Sequence, residues 1–299
     1  MSGTGKSNET PLRIGVIGGS GLYGMDGLVD LREVTPETPF GAPSAPCLIG
    51  RLEGVDNVEL VFLPRHGRGH SLNPSEVPYR ANIFAMKVLG VSWIVSVSAV
   101  GSLREDVVPG HMVIIDQFID RTKGRPATFF EDGIVAHVGF GDPVCTTLRQ
   151  YLLAAAREAE ATVHDGGTYV CMEGPAFSTR AESNLYRSWG ATVIGMTNLP
   201  EAKLAREAEI SYATIAMSTD YDCWHEGHDD VTVQQVVAVA RANVEVSKRI
   251  IRAVVPRIAA HDGPAPMHAA LAGAIMTHAD SIPAARRQAL GPLVDKYLK

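Results

Sequence analysis

Tyr212-Ala213-Thr214-Ile215-Ala216-Met217 is a short apolar run that ends in Ser218-Thr219-Asp220-Tyr221-Asp222-Cys223-Trp224. Its length and make-up predict a buried strand. In open α/β sheets ligands bind beyond the carboxyl ends of the strands, and the two carboxylates fall at such an end. One residue apart on an extended segment, Asp220 and Asp222 are expected to project to similar sides. A pair so placed can accept from an exocyclic amine and deliver a proton to a ring nitrogen. Taken alone, an Asp-x-Asp is more often a solvated acidic turn, so the rest of the chain has to decide.

Working outward, apolar runs predict further strands over 13–17, 58–63, 93–97, 112–115, 168–172 and 191–194. Helical patterns lie between them, over 82–89, 145–159, 179–189 and 200–208, the last with Pro200 at its start. A long helix is expected over 232–255, with Val233, Val236, Val237, Ala240, Val244, Ser247 and Ile251 on one stripe. The alanine-rich stretch 266–277 reads as a terminal helix. Strands alternating with helices predict an α/β fold: one domain over 12–299, a twisted, mixed and largely parallel sheet flanked by helices. Residues 1–11 read as a disordered lead-in.

Composition narrows the function classes. The chain has 299 residues, 27 basic against 33 acidic, a net charge of −6 and no basic block, which argues against nucleic acid as a partner. Cys47, Cys145, Cys171 and Cys223 form no CxxC pair, as expected of reduced thiols in the cytoplasm. The polar start has no apolar signal core, and no apolar stretch is long enough to span a bilayer.

Five clusters sit at predicted strand ends. Gly19-Ser20-Gly21-Leu22-Tyr23-Gly24 is a literal GxGxxG, but Pro36, Pro39 and Pro43 break the helix–strand unit that a dinucleotide fold requires. Its backbone amides and the Ser20 hydroxyl suit a small anion instead. Arg65-His66-Gly67-Arg68-Gly69-His70 gathers basic side chains between glycines, a pattern that favours anion binding over a plain surface loop. Ser98, in Ser98-Ala99-Val100-Gly101, offers a hydroxyl beside small residues. Gly174-Pro175-Ala176-Phe177-Ser178-Thr179 gives a tight loop, a ring able to stack on a planar ligand and a helix cap at Ser178 or Thr179. Gly195-Met196-Thr197-Asn198-Leu199-Pro200-Glu201-Ala202 presents a further hydroxyl, and its Pro starts the next helix.

Together these segments, with Gly101-Ser102-Leu103-Arg104 and Arg180-Ala181-Glu182, resemble the methylthioadenosine phosphorylase branch of the trimeric purine nucleoside phosphorylase family. The resemblance runs from Ile14 to about Val237. It implies cleavage of a nucleoside's N-glycosidic bond by inorganic phosphate, in a homotrimer without metal or organic cofactor. It implies phosphate at Ser20, Arg65, His66, Ser98 and Thr197 with the Ala99 backbone, Met196 against the ribose, and Phe177 and Ser178 beside the base. Asp220 would sit at purine N7 and Asp222 near the 6-amino group. Val233, Val236 and a neighbouring subunit's His137 would form the 5′ pocket, although both valines also lie on the core stripe of their helix. Ser20 stands where relatives often have Thr, and Ala176 where many carry a larger polar residue.

The chemistry accords with those roles. Phosphate held by Arg65, His66 and hydroxyls supplies the nucleophile and stabilises an oxocarbenium-like sugar. Asp220 would protonate the leaving base, which needs its pKa raised from about 3.9. Ionised carboxylates suit the 6-amino donors of adenine, whereas a protonated carboxyl would admit a 6-oxopurine. The leading expectation is phosphorolysis of 5′-methylthioadenosine, in purine and methionine salvage. The alternatives are a phosphorylase for 6-oxopurine nucleosides or 5′-methylthioinosine, a non-catalytic nucleoside-binding protein and, distantly, an NAD-dependent oxidoreductase.

Overall fold

Eleven strands and seven α-helices make up the fold among the described residues of this computed structural model, which are 10–225 and 233–298, less the side chains of Ser20 and 233–236. The strands are β1 (Leu12–Gly18), β2 (Leu28–Val34), β3 (Cys47–Leu52), β4 (Val58–Pro64), β5 (Val91–Ser102), β6 (Met112–Ile114), β7 (Gln117–Arg121), β8 (Val163–Asp165), β9 (Thr168–Met172), β10 (Val193–Gly195) and β11 (Ser211–Asp220). The helices are α1 (Tyr79–Val88), α2 (Thr146–Glu158), α3 (Arg180–Ser188), α4 (Asn198–Glu207), α5 (Val233–Ala259), α6 (Ala284–Ala289) and α7 (Gly291–Val294). Most of the predicted 1–11 lead-in, and Thr232 at the predicted start of the long helix, lie outside the described residues.

The strands form one mixed sheet in the order β2-β3-β4-β1-β5-β10-β9-β7, with β11 beside β5, β6 beside β11 and β8 beside β6. Six of its ten pairings are parallel, which bears out the largely parallel sheet. The central strands β4 and β11 are buried almost throughout, as helices on both faces require, so they read as continuous apolar runs. Parallel register then aligns the strand ends. Ile17 stands beside Leu63 on one side and Ser96 on the other, and Ser98 stands beside Ala216. The carboxyl ends of β1, β4, β5 and β11 therefore open on one edge.

As the prolines implied, the GxGxxG opens no dinucleotide unit: after β1 the chain makes a short 3-10 turn over Ser20–Tyr23 and enters β2, antiparallel to β3. Other expectations are corrected. The 266–277 stretch is a chain of turns rather than a helix. Its alanines favour a helix, but backbone donors go elsewhere: Met267 N–H to Ser211 Oγ and Leu271 N–H to Glu209 Oε1. The stretch ends in a bridge between Ile275 and Ala136. Strands β2, β3, β7 and β8 and helices α6 and α7 escaped the periodicity reading. Helix α5 runs on to Ala259 and braces β11, where Asn243 Nδ2 donates to Ser218 O at 2.9 Å.

Candidate active site

Arg65 follows the last residue of β4 and turns inward, tied to β1 by its N–H bond to Gly18 O at 3.0 Å. Its side chain is buried against Glu201 of α4, with Nε to Oε2 at 2.7 Å and Nη2 to Oε1 at 3.0 Å. Nη2 also donates to Ser96 Oγ at 2.7 Å and Ile17 O at 3.3 Å, and Nη1 to Val97 O at 3.0 Å. Glu201 Oε1 accepts as well from Ser96 Oγ at 2.8 Å and the Tyr212 hydroxyl at 2.9 Å. Burial opposes the guanidinium charge, and Glu201 outweighs it, so the Arg65 pKa stands above its ordinary value. A buried ion pair of this kind is tolerable only when most of its remaining donors and acceptors are satisfied; here Nη1 has one partner, Val97 O, for its two protons.

Two hydroxyls meet beside this pair. Ser98 Oγ on β5 lies 3.4 Å from Thr197 Oγ1, which leads into α4, and 3.2 Å from the Tyr169 hydroxyl. Ala99 next to it is exposed. His66 is half-buried, with Nδ1 2.8 Å from Leu72 O and its ring stacked on His70 at 4.3 Å. Burial, and then the Arg65 charge, push its pKa down to about 4. Arg68 instead points away and pairs with Glu33 at the surface. Ser20 begins the 3-10 turn beyond β1; its side chain lies outside the described residues.

Asp220 closes β11, but Asp222 does not continue it. Asp222 adopts φ +52°, and its N–H donates to Asp220 Oδ1 at 2.8 Å, so a tight turn rather than an extended segment brings the carboxyl groups together. The Thr219 hydroxyl lies 2.6 Å from Asp220 Oδ2. Burial raises the pKa of Asp220, and burial plus the Asp220 charge raises that of Asp222. Gly101 makes room for the turn, since a Cβ there would stand 3.0 Å from Asp220 Oδ1. Trp224 anchors the far side: its indole N–H donates to Ser102 O at 2.8 Å, under the Arg187 guanidinium at 3.4 Å.

Gly101 is the register partner of Asp220 and follows Ser98 by three residues. At strand rise that separates the hydroxyl cluster from the carboxyl turn by about 10 Å, enough for one sugar between a phosphate and a base. Ser178 is buried, and its carbonyl accepts from Cys223 Sγ at 3.2 Å, which brings the Phe177–Ser178 loop to the carboxyl turn. Phe177 is 51% exposed. Thr179, not Ser178, caps α3, in a capping box with Glu182.

Arg125, which the sequence reading passed over, ties the loops together. Its guanidinium donates to Met196 O at 2.7 Å, Leu199 O at 2.9 Å and Glu173 O at 2.6 Å. Met196 thereby lies over Gly174, whose φ of +68° and missing side chain leave room for the thioether. Glu201 lies in the 195–202 cluster, where nothing local assigns it a role, and no motif marks Arg125, because each is recognised only by partners distant in sequence. His137 is exposed on a segment pinned to the C-terminal tail through its N–H bond to Ala274 O. Val233 and Val236 lie in the first turns of α5, with side chains outside the described residues.

Residues 13–256 match the family model of the phosphorylase superfamily. The chain belongs to that family. It is 61% identical to S-methyl-5′-thioadenosine phosphorylase of Geobacter sulfurreducens over 95% of this chain and 99% of that protein. It is 56% identical to the enzyme of the same name from Thermosynechococcus vestitus, over 96% and 99%. Among solved structures, a methylthioadenosine phosphorylase from an antarctic soil metagenomic library superposes with a TM-score of 0.90 at 48% identity, covering 96% of this chain and all of that one. Methylthioadenosine phosphorylase from Schistosoma mansoni in complex with adenine gives a TM-score of 0.82 at 37% identity, covering 89% and 99%. No helix among the described residues is long and apolar enough to cross a membrane.

Proposed function

We propose that the protein cleaves 5′-methylthioadenosine with inorganic phosphate, giving adenine and 5-methylthioribose 1-phosphate. The observation that carries the reading is the placement of Ser98 within β5 and of Asp220 at the end of the neighbouring parallel strand β11, about 10 Å apart along the strands, room for one sugar between phosphate and base. Phosphate is held by Arg65, His66, Ser98, Thr197, the Ser20 turn and the Ala99 backbone. Met196 packs on the ribose, and Phe177 and Ser178 on the base. An oxygen of phosphate attacks C1′ as the glycosidic bond lengthens, and the anion stabilises the positive charge that builds on the sugar. Asp220, whose pKa burial raises, shares a proton with N7, and Asp222 accepts from the 6-amino group. Phosphate is a co-substrate, and the reaction calls on no metal or organic cofactor.

The raised pKa of both carboxyls supports a second reading, in which a protonated group donates to O6 of a 6-oxopurine. We place the methylthio group against Val233 and Val236, with His137 contributed by a neighbouring subunit of a homotrimer. The four free thiols accord with a cytoplasmic setting. Base release from 5′-methylthioadenosine, adenosine, inosine and 5′-methylthioinosine, with and without phosphate, tests the reading. Fastest release of adenine from methylthioadenosine, only with phosphate, is the expected result. Faster release of hypoxanthine would favour the 6-oxo reading, and release without phosphate would remove phosphorolysis.

A further inference from the structure

His66 Nδ1 lies 2.8 Å from Leu72 O, and a carbonyl oxygen can only accept, so Nδ1 carries a proton. The loop is closed by the reverse bond, Leu72 N–H to His66 O at 3.1 Å, which holds the ring to that partner. A neutral imidazole so fixed presents Nε2 as a lone pair. The surroundings keep it neutral. Arg65 adjoins it from the end of β4, the His70 ring is stacked on it at 4.3 Å with planes 19° apart, and Glu201 of α4 lies behind Arg65 and is already paired with it. Burial and the Arg65 charge push the imidazole pKa down to about 4. The remaining polar groups of the cluster include donors: the Ser98 and Thr197 hydroxyls, and the one Nη1 proton of Arg65 not directed to Val97 O.

We propose that His66 accepts, rather than donates, the hydrogen bond to the bound oxyanion, so that the site selects an anion bearing an O–H and discriminates hydrogen phosphate from sulfate. This rests on the reading of the cluster as the phosphate site. Hydrogen phosphate offers its O–H to Nε2 while its bare oxygens accept from Arg65, Ser98 and Thr197. Sulfate has the same size and charge but no proton at neutral pH, so its oxygen would meet the Nε2 lone pair unless His66 were first protonated. A polar site that expects a hydroxyl rejects the analogue without one strongly, because a buried group is left unpaired.

The test is calorimetric titration of the full-length protein, without nucleoside, with phosphate and with sulfate between about pH 6 and about pH 8. Sulfate is expected to bind at least about 10²-fold more weakly than phosphate at the upper end. Its affinity should fall about tenfold per pH unit, because its binding must take up one proton on His66. Phosphate affinity should be nearly flat above neutrality. In H66Q, whose amide can donate or accept, the gap should narrow and the sulfate slope vanish. In the unaltered protein, ¹⁵N NMR should show a bare Nε2 in the phosphate complex and an imidazolium in the sulfate complex, a readout independent of how the variant folds. Equal affinities with flat profiles, or an imidazolium in the phosphate complex, would overturn the selection by His66 while leaving the phosphate site in place. If phosphate failed to bind and base release needed none, the phosphate-site reading would fall, and this proposal with it.

Discussion

Arg65 and Glu201, 136 positions apart, form a buried two-pronged ion pair that joins the end of β4 to α4. The pair fixes the guanidinium before any ligand arrives. Its charge is matched inside the protein by Glu201.

Glu201→Gln should therefore damage both fold and site. Removing one member of a buried pair leaves the other uncompensated, and the expected loss is about 3–5 kcal/mol in urea unfolding. Where folded protein remains, phosphate KM should rise more than nucleoside KM. A stable variant with unchanged phosphate KM would show that Glu201 does not hold Arg65 in place.

Asp220→Asn tests the proton donor. The amide keeps the shape of the turn and cannot protonate N7, so turnover on methylthioadenosine should drop by about 10²–10⁴-fold. Burial already disfavours the Asp220 charge, so the variant should unfold at nearly the same temperature. Undiminished turnover would remove Asp220 from the chemistry.

Arg125→Lys probes positioning without contact to substrate. A lysine cannot reach the carbonyls of Met196, Leu199 and Glu173 together, so the ribose and phosphate loops should drift apart. Misplacement of about 1 Å can cost about 10²-fold, and that loss is expected in kcat/KM. Kinetics equal to those of the unaltered protein would assign Arg125 to stability alone.

Glu207 should make stability depend on pH. Burial raises its carboxyl from 4.5 to about 7, although it accepts from Phe129 N–H and the Thr128 hydroxyl at 2.7 Å each. A carboxyl raised on folding favours the folded state below its unfolded pKa, and that contribution is lost as pH rises through the folded value. The expected loss between about pH 4.5 and about pH 7 amounts to about 3 kcal/mol. Urea midpoints should fall over that window, and Glu207→Gln should flatten the fall. A midpoint that rose or held level in the unaltered protein would contradict it.

What the sequence made legible follows from how each element is stabilised. Strands β1, β4, β9 and β11 are buried by neighbours on both faces, so their apolar runs stood out. Strand β2 alternates Leu and Val with charged residues at the sheet edge, and β7 carries Gln117, Asp120 and Arg121, so neither shows such a run. The 266–277 stretch has helical composition but is shaped by its bonds to Ser211 and Glu209, which only tertiary structure supplies. In the site, Ser98, Thr197, Arg65 and His66 were visible as polar residues at strand ends. Their supports, Glu201 and Arg125, were not, because nothing local distinguishes them from surface charges. The turn at Asp222 was also hidden, since a left-handed aspartate has no sequence signature of its own.

The most direct test follows ³¹P NMR of the protein with 5′-methylthioadenosine and inorganic phosphate. A sugar 1-phosphate resonance growing in step with free adenine is the expected result. Adenine released with no new phosphate ester, or no adenine at all, would contradict the proposed reaction.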